Sequence, residues 1–344
     1  MLHNNAGALR VGVVGAGRIG RLHAEILASQ VQGATLTAVA DVRPELAEEI
    51  ASSLGVPSMT PSALIASSDV DAVAICSSTD SHVDLILEAS AAGKAIFCEK
   101  PISLDLAQVD KGLGAAEGAG IAFMIGFNRR FDAAHEAVRN AVVSGEVGEV
   151  QLARITSRDP APPPMEYSKV SGGIFLDMTI HDFDMARYVT GSEVVEVYAQ
   201  GAVRIDPALA EIGDVDTAVI NLVHENGCFT VIDNSRQAVY GYDQRVEVFG
   251  SKGLAASDNP LATTSTVRTA DGTRQPALPY FFLERYHFSY VNEWRAFVEA
   301  LSNGRPMPVG PEDARAPLVI GLAAGLSLRE HRPVAVAEVD VARL

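Results

Sequence analysis

The sequence predicts an α/β protein of two unlike domains. The first is a doubly wound parallel sheet over residues 1–127, and the second, over 128–344, is an α+β domain with a large, mostly antiparallel open sheet. Three observations predict this. Up to Phe127, short apolar runs alternate with stretches of helical periodicity, as in a sheet whose strands are covered on both faces by helices. The first run leads straight into a glycine turn that opens a helix. Beyond Phe127 the β-like runs lengthen without intervening helices, and hairpin turns stand at Glu225-Asn226-Gly227 and Ala270-Asp271-Gly272. A length of 344 residues agrees with two cores better than with one.

In chain order, Leu9 to Val14 is the first strand, Gly15-Ala16-Gly17-Arg18-Ile19-Gly20 the turn, and a helix follows to about Ser29. The second strand, Leu36 to Ala40, ends in Asp41, 21 residues after Gly20, which is dinucleotide-binding spacing. Gly15 permits the tight turn, Gly17 lets backbone N–H groups approach a pyrophosphate, and Gly20 allows close helix packing. Arg18 and Ile19 of the same turn, and Val42 next to Asp41, are further candidates for binding the cofactor. Asp41, with Val42 beside it, is placed to hydrogen-bond a ribose diol and to repel a 2′-phosphate, which favours NAD over NADP. Arg43 is a cation that could soften that preference. The bland alternative is an ordinary glycine-rich turn.

The alternation continues with a helix at Pro44 to Leu54, a strand at Ala72 to Cys76, a helix from about Ser81 to Ala92 and a strand at Ala95 to Cys98. A helix at Leu104 to Glu117 and a strand at Ile121 to Phe127 complete it. Ligands of such sheets sit at the carboxyl ends of the strands, here Ser77-Ser78-Thr79, Glu99-Lys100 and Asn128-Arg129. Ser77 and Thr79 either cap the next helix, with His82 on its first turn, or touch the nicotinamide ribose. The second half reads as a helix near Ala133 to Val143 and β-runs at Val150 to Ile155, Val194 to Ala199, Thr217 to Val223, Phe229 to Ile232 and Arg245 to Phe249. Helices at about Leu283 to Leu301 and Glu312 to Arg329 end the chain. Asp159 to Pro164 holds four prolines in six residues and predicts a loop over a cleft.

Composition narrows the function classes. A hydrophobic content of 48% with 20% charged residues is that of a globular protein, and a net charge of -16 argues against nucleic acid, whose phosphates demand a basic surface. The sequence lacks an apolar run of the roughly 20 residues that cross a bilayer and a secretory signal at Met1-Leu2-His3-Asn4-Asn5, so a cytoplasmic protein is expected. Cys76, Cys98 and Cys228 are widely spaced beside apolar residues, which suits reduced core thiols and neither disulfides nor a metal centre.

Ser171 to Thr190 carries the acid–base candidates. Gly172 and Gly173 precede a predicted helix from Ile174 to Val189, stopped by Gly191, that sets Asp177, His181, Asp184 and Tyr188 on one face. A carboxylate one turn before an imidazole orients that ring and raises the basicity of its far nitrogen; the same spacing also occurs in solvated surface pairs. Glu99-Lys100-Pro101 ends a buried strand on the ligand edge, where a cation lowers the cost of forming an alkoxide. The alternative for Lys100 is a surface lysine after a strand.

Gly15 to Gly20, Glu99-Lys100-Pro101, Gly126-Phe127-Asn128-Arg129-Arg130-Phe131-Asp132 and Gly172 to Arg187 together resemble the glucose-fructose oxidoreductase, inositol dehydrogenase and rhizopine catabolism family, over nearly the whole chain. Ser157-Arg158-Asp159-Pro160, Gly173 to Arg187 and Tyr240-Gly241-Tyr242-Asp243-Gln244-Arg245 resemble its bacterial inositol 2-dehydrogenase branch. The resemblance implies a Rossmann domain and NAD-linked oxidation of a cyclic polyol, myo-inositol becoming 2-keto-myo-inositol. It further implies that Lys100 polarises the reacting hydroxyl while Asp177 and His181 complete a triad with His181 as base. It places Asn128, Arg129, Asp159 and Tyr242 against substrate, Ser77, Thr79, His82, Glu99 and Lys100 against cofactor, and the chain in a homotetramer packed through the open sheet face. Another sugar or inositol-isomer dehydrogenase of the family is the nearer alternative. An NAD-binding sensor is the other, and such proteins tend to lack the acid–base set present here.

Overall fold

A computed structural model describes residues 7–340. The chain forms two units: residues up to Asn128 together with Phe288–Arg315, and Arg129–His287 together with the chain from Ala316. The boundary near Phe127 therefore has a return: a helical segment distant in sequence completes the first unit.

In the first unit the order is β1 (Leu9–Val14), α1 (Arg18–Ser29), β2 (Ala34–Ala40), α2 (Pro44–Leu54), β3 (Ser58–Met59) and α3 (Pro61–Ala66). Then come β4 (Ala72–Ile75), α4 (Thr79–Ala91), β5 (Ala95–Glu99), α5 (Leu106–Gly118) and β6 (Phe123–Gly126). All six strands pair in parallel in the order β3-β2-β1-β4-β5-β6, so the winding reverses between β1 and β4 and opens the ligand crevice at their carboxyl ends. β4 and the last four residues of β1 are buried, which is why they read as apolar runs. α2 starts with Pro44 in its first turn, as expected, and stops at Gly55 in the left-handed region. β3 and α3 are too short to show periodicity and are additions to the predicted elements.

The second unit holds α6 (Ala133–Val143), β7 (Val150–Arg158), α7 (Met165–Ser168), α8 (Gly173–Asp177), α9 (Ile180–Thr190), β8 (Val194–Ala202), β9 (Thr217–His224) and β10 (Phe229–Ser235). β11 (Asp243–Gly250), β12 (Leu254–Ser257), β13 (Val267–Thr269), β14 (Gly272–Arg274) and α10 (Phe282–Arg285) follow. α11 (His287–Ser302) lies almost wholly in the first unit, α12 (Pro311–Glu330) runs from the first unit into the second, and β15 is Val334–Ala335. The large sheet has the order β12-β11-β7-β10-β9-β8-β15 and is antiparallel except where β7 meets β10. Both predicted hairpins are present, β9 to β10 and β13 to β14. One sheet face carries the core, with Ile155, Ile220, Ile232 and Val248 packed among Phe183, Val189 and Ile320 of the helices.

The single helix expected from Ile174 to Val189 is instead two, α8 and α9. At the break the Thr179 N–H reaches back five residues to Ile174 O at 2.8 Å, and the Thr179 hydroxyl lies 3.1 Å from the same oxygen. A wide turn of this kind interrupts the regular ladder. Asp177 thus ends one helix and His181 sits in the first turn of the next. The helix expected from Leu283 is likewise divided at Tyr286.

Candidate active site

The glycine turn is built as its spacing predicts. Gly15 has φ +106°, and a Cβ there would lie 2.5 Å from the Cys76 backbone; a Cβ on Gly20 would run into Gly15 O. Gly17 is different. It caps α1 without a side chain, and a Cβ there would meet no protein atom within 4 Å. Beside it Arg18 is exposed and Ile19 half-buried. Asp41 closes the turn from β2: Oδ2 accepts the Ala16 N–H at 2.7 Å and Oδ1 the Arg43 N–H at 2.8 Å. Arg43 Nε stands 3.7 Å from the same carboxylate, and Val42 is exposed.

At the end of β4, Ser77 Oγ and Ser81 Oγ lie 2.6 Å apart, so Ser77 is turned toward α4. Thr79 is the first residue of that helix. His82 is buried, its Nε2 3.0 Å from Ser77 O and its Nδ1 2.9 Å from Pro101 O. Burial pushes its imidazole below the usual value, against the pull of those two carbonyls. His82 therefore spans the ends of β4 and β5 and makes no cap. Glu99 is buried at the end of β5, Lys100 is half-buried, and the Lys100–Pro101 bond is cis. Asn128 is buried, and its Nδ2 meets no partner among the described residues.

In the second unit Asp177 accepts from Tyr167 Oη at 2.8 Å on one oxygen and from Arg236 Nη1 at 2.8 Å on the other. Arg236 Nη1 is also 3.7 Å from Asp159 Oδ2. Burial raises Asp159 to about 6, with Arg236 lowering and Asp177 raising it; its side chain keeps 22% exposure. Burial, then the Asp177 charge, raises the Tyr167 phenol. His181 is half-buried in the first turn of α9, past the break at Thr179.

A second cluster centres on Arg129, which donates from Nη1 to Asp182 Oδ1 at 2.7 Å and to Ser157 Oγ at 3.2 Å, and from Nη2 to Tyr242 Oη at 3.5 Å. Burial opposes the Arg129 charge, but Tyr286, Tyr242, Asp182 and Asp159 outweigh it, so its pKa is raised. Burial raises Tyr242 against the opposing Arg129 charge. Asn234 donates to Asp182 Oδ2 at 2.9 Å, and Ser157 donates to Gln244 Oε1 at 2.8 Å. Asn234 and Gln244 both pair in register with Ser157, so three adjacent strands, β10, β7 and β11, set one polar row across the core face. Arg236 Nη2 and Gln244 Nε2 are buried donors that meet no partner among the described residues.

Residues 9–127 match the oxidoreductase family with an NAD-binding Rossmann fold, and residues 135–256 match the GFO/IDH/MocA C-terminal domain. The chain is 49% identical over 333 residues to a myo-inositol 2-dehydrogenase of Thermotoga maritima, covering 96% of this chain and 99% of that one. The chain belongs to the GFO/IDH/MocA oxidoreductase family. An inositol 2-dehydrogenase of Rhizobium meliloti is 46% identical over 329 residues, with 96% and 99% covered. A scyllo-inositol dehydrogenase of Lactobacillus casei, solved with NAD(H) and scyllo-inositol, superposes with a TM-score of 0.89 at 32% identity, over 96% of this chain and 99% of that one.

The first unit fits the NAD of a GFO/IDH/MocA oxidoreductase. The space off Gly17 admits a pyrophosphate to the N-terminal amides of α1, and each Asp41 oxygen, holding one backbone N–H, keeps a lone pair for a ribose hydroxyl.

Tyr167, Asp182, Asn234, Arg236 and the role of Ser157 were not expected from the sequence. A signal existed for two of them. The strand alternation that turns Ile155 and Ile232 inward also turns Ser157 and Asn234 inward two residues on, and a polar residue in a core register demands partners. Asp184, which the helical spacing set beside the acid–base pair, is instead a buried partner of Arg130 at 2.6 Å. Tyr188 lies under Arg130 and Arg139.

Proposed function

We propose that this oxidoreductase converts myo-inositol to 2-keto-myo-inositol with NAD, as a cytoplasmic enzyme of inositol catabolism. The observation that carries the polyol reading is the polar core face of the second unit. Carboxylates, phenols and two buried donors without partners among the described residues, Arg236 Nη2 and Gln244 Nε2, offer donors and acceptors suited to a ring of hydroxyls. Identities of 49% and 46% to inositol dehydrogenases support the same substrate.

In this reading Lys100 donates to the reacting hydroxyl and stabilises the developing alkoxide, and His181 takes the hydroxyl proton. Asp177, fixed by Tyr167 and Arg236, holds the imidazole oriented and favours its protonated form. The bound nicotinamide supplies the acceptor for the hydride that leaves the same carbon. Asn128, Arg129, Asp159 and Tyr242 hold the remaining hydroxyls, and Ser77, Thr79, His82 and Glu99 line the cofactor side.

We also assign a homotetramer. On the sheet face opposite the core, Leu254, Phe249, Leu152 and Phe229 pair in register across four strands, and Leu254 (53%), Phe249 (44%) and Phe229 (52%) are exposed. Such a stripe calls for a second apolar surface. Light scattering on the eluted protein checks the mass.

The decisive assay follows nicotinamide absorbance with NAD or NADP and a panel of inositols and aldoses. Myo-inositol with NAD should give the highest kcat/KM; faster turnover of an aldose or of scyllo-inositol reassigns the substrate.

A further inference from the structure

Behind Lys100 lies a buried line of polar groups within the first unit. Trp294 on α11 donates its indole N–H to His23 Nδ1 at 2.8 Å, and His23 Nε2 is 2.6 Å from Glu99 Oε1. The other Glu99 oxygen accepts the Lys100 backbone N–H at 3.3 Å. His23 and Trp294 are fully buried, and the imidazole is packed edge-on against Phe97, Tyr290 and Trp294, which holds the ring's orientation.

The chemistry of the donors fixes the tautomer. An indole nitrogen only donates, so His23 Nδ1 must be the acceptor, and the ring proton sits on Nε2, facing the Glu99 carboxylate. Trp294 thereby dictates that His23 donates to Glu99. Gly126 leaves room for this arrangement: a Cβ there would come within 3.2 Å of the Glu99 carboxyl. Among the described residues, Cys76 just past β4, Cys98 of β5 and His82 of α4 also act on Glu99, with Glu293 of α11 near Cys76. An apolar core would dispense with a buried carboxylate, because an unpaired one is costly; here a glutamate is kept and given a tailored donor beside the lysine.

We propose that Trp294, His23 and Glu99 form a positioning relay that holds Lys100 in register with the reacting hydroxyl. The inference rests on the reading of Lys100 as the group that polarises that hydroxyl. Its elements are residues of α1, β5 and α11, so the last of them adjusts the reactive end of β5 from beyond residue 287.

The relay is tested with His23→Leu, His23→Gln and Trp294→Phe in the full-length protein, assayed with NAD and myo-inositol. A Gln amide nitrogen falls near the place of Nε2 and can donate to Glu99, whereas Leu cannot. His23→Leu should lower kcat about tenfold or more while NAD affinity, measured by calorimetry, stays within about twofold, and His23→Gln should recover most of the loss. Nitrogen-15 spectra at pH 7 should show one pyridine-type and one pyrrole-type His23 nitrogen, the latter Nε2; Trp294→Phe, which keeps an aromatic ring, should mix the two. Equal kcat in wild type and both His23 variants, equal impairment of Leu and Gln, or a wild-type proton on Nδ1 overturns the relay. A Lys100→Met control separates the two readings: if it turns over normally the role of Lys100 is wrong, and if it is inactive while His23→Leu is normal only the relay is.

Discussion

The two units hold their polar groups by different means. In the first, backbone does the work: Gly15, Gly17 and Gly20 shape the turn, and Asp41 is anchored by two main-chain N–H groups. In the second, side chains hold one another. Arg129 ties Asp182, Ser157 and Tyr242 together, Asn234 bridges Asp182 to the strand below, and Arg236 joins Asp177 to Asp159. A backbone site presents the same dipoles whatever its neighbours, and suits a cofactor common to a family. A side-chain network can be re-cut one residue at a time, and suits a substrate that varies within it.

The largest expected effect breaks the side-chain half. His181→Ala should lower polyol oxidation by about a hundredfold or more, and Asp177→Asn by less, since it keeps the shape while removing the charge. Wild-type oxidation should rise with pH as the base loses its proton. If His181→Ala keeps that rise unchanged, Lys100 becomes the proton acceptor.

The next contrast sharpens the backbone half by separating fold from ligand. Gly15→Ala meets both the left-handed φ and the Cys76 backbone and should cost about 3 kcal/mol in urea unfolding. Gly17→Ala meets no protein atom, so stability should hold within about 0.5 kcal/mol while NAD affinity falls. Parallel losses of stability in both variants would remove the distinction. Asp41→Ser should narrow the preference for NAD over NADP by about tenfold, read from the two Kd values; an unchanged ratio would transfer the discrimination to Arg43.

The smallest effect is a pH dependence of stability. Asp159, at about 6 in the fold, binds its proton more tightly than in the unfolded chain, where an aspartate titrates near ~3.9. Its contribution is therefore full below the unfolded value and is lost as pH rises through about 6. The Tm of wild type relative to Asp159→Asn should fall by a few degrees between pH 4 and 7. A flat difference would mean that Arg236 neutralises Asp159 throughout.

The same contrast explains what could be read in advance. The glycine turn, the place of Asp41 after β2 and that of Lys100 after β5 were legible because their geometry is local and follows from short stretches of sequence. α2, with Pro44 in its first turn, and α6 were legible as helices at Pro44 to Leu54 and near Ala133 to Val143, where the structure has them. The Arg129 network was not, because Ser157, Asn234 and Gln244 become neighbours only through the register of β7, β10 and β11. The break at Thr179 escaped for a similar reason. Its hydroxyl is 2.6 Å from Asn234 Oδ1, 55 residues away, and a sequence window over the helix cannot see that partner.

The return of residues 288–315 to the first unit sets a schedule for making the protein. β6 is an edge of the parallel sheet, and the Ile125 N–H is satisfied by Val309 O at 3.1 Å. While a ribosome is still translating the second unit, that edge is bare and His23 lacks the indole that lies 271 positions downstream. An open strand edge is a template for pairing with other chains, and contacts this distant form slowly. The nucleotide domain precedes the second unit along the chain yet is finished only after most of it, so the nascent chain must stay shielded while the second unit is made.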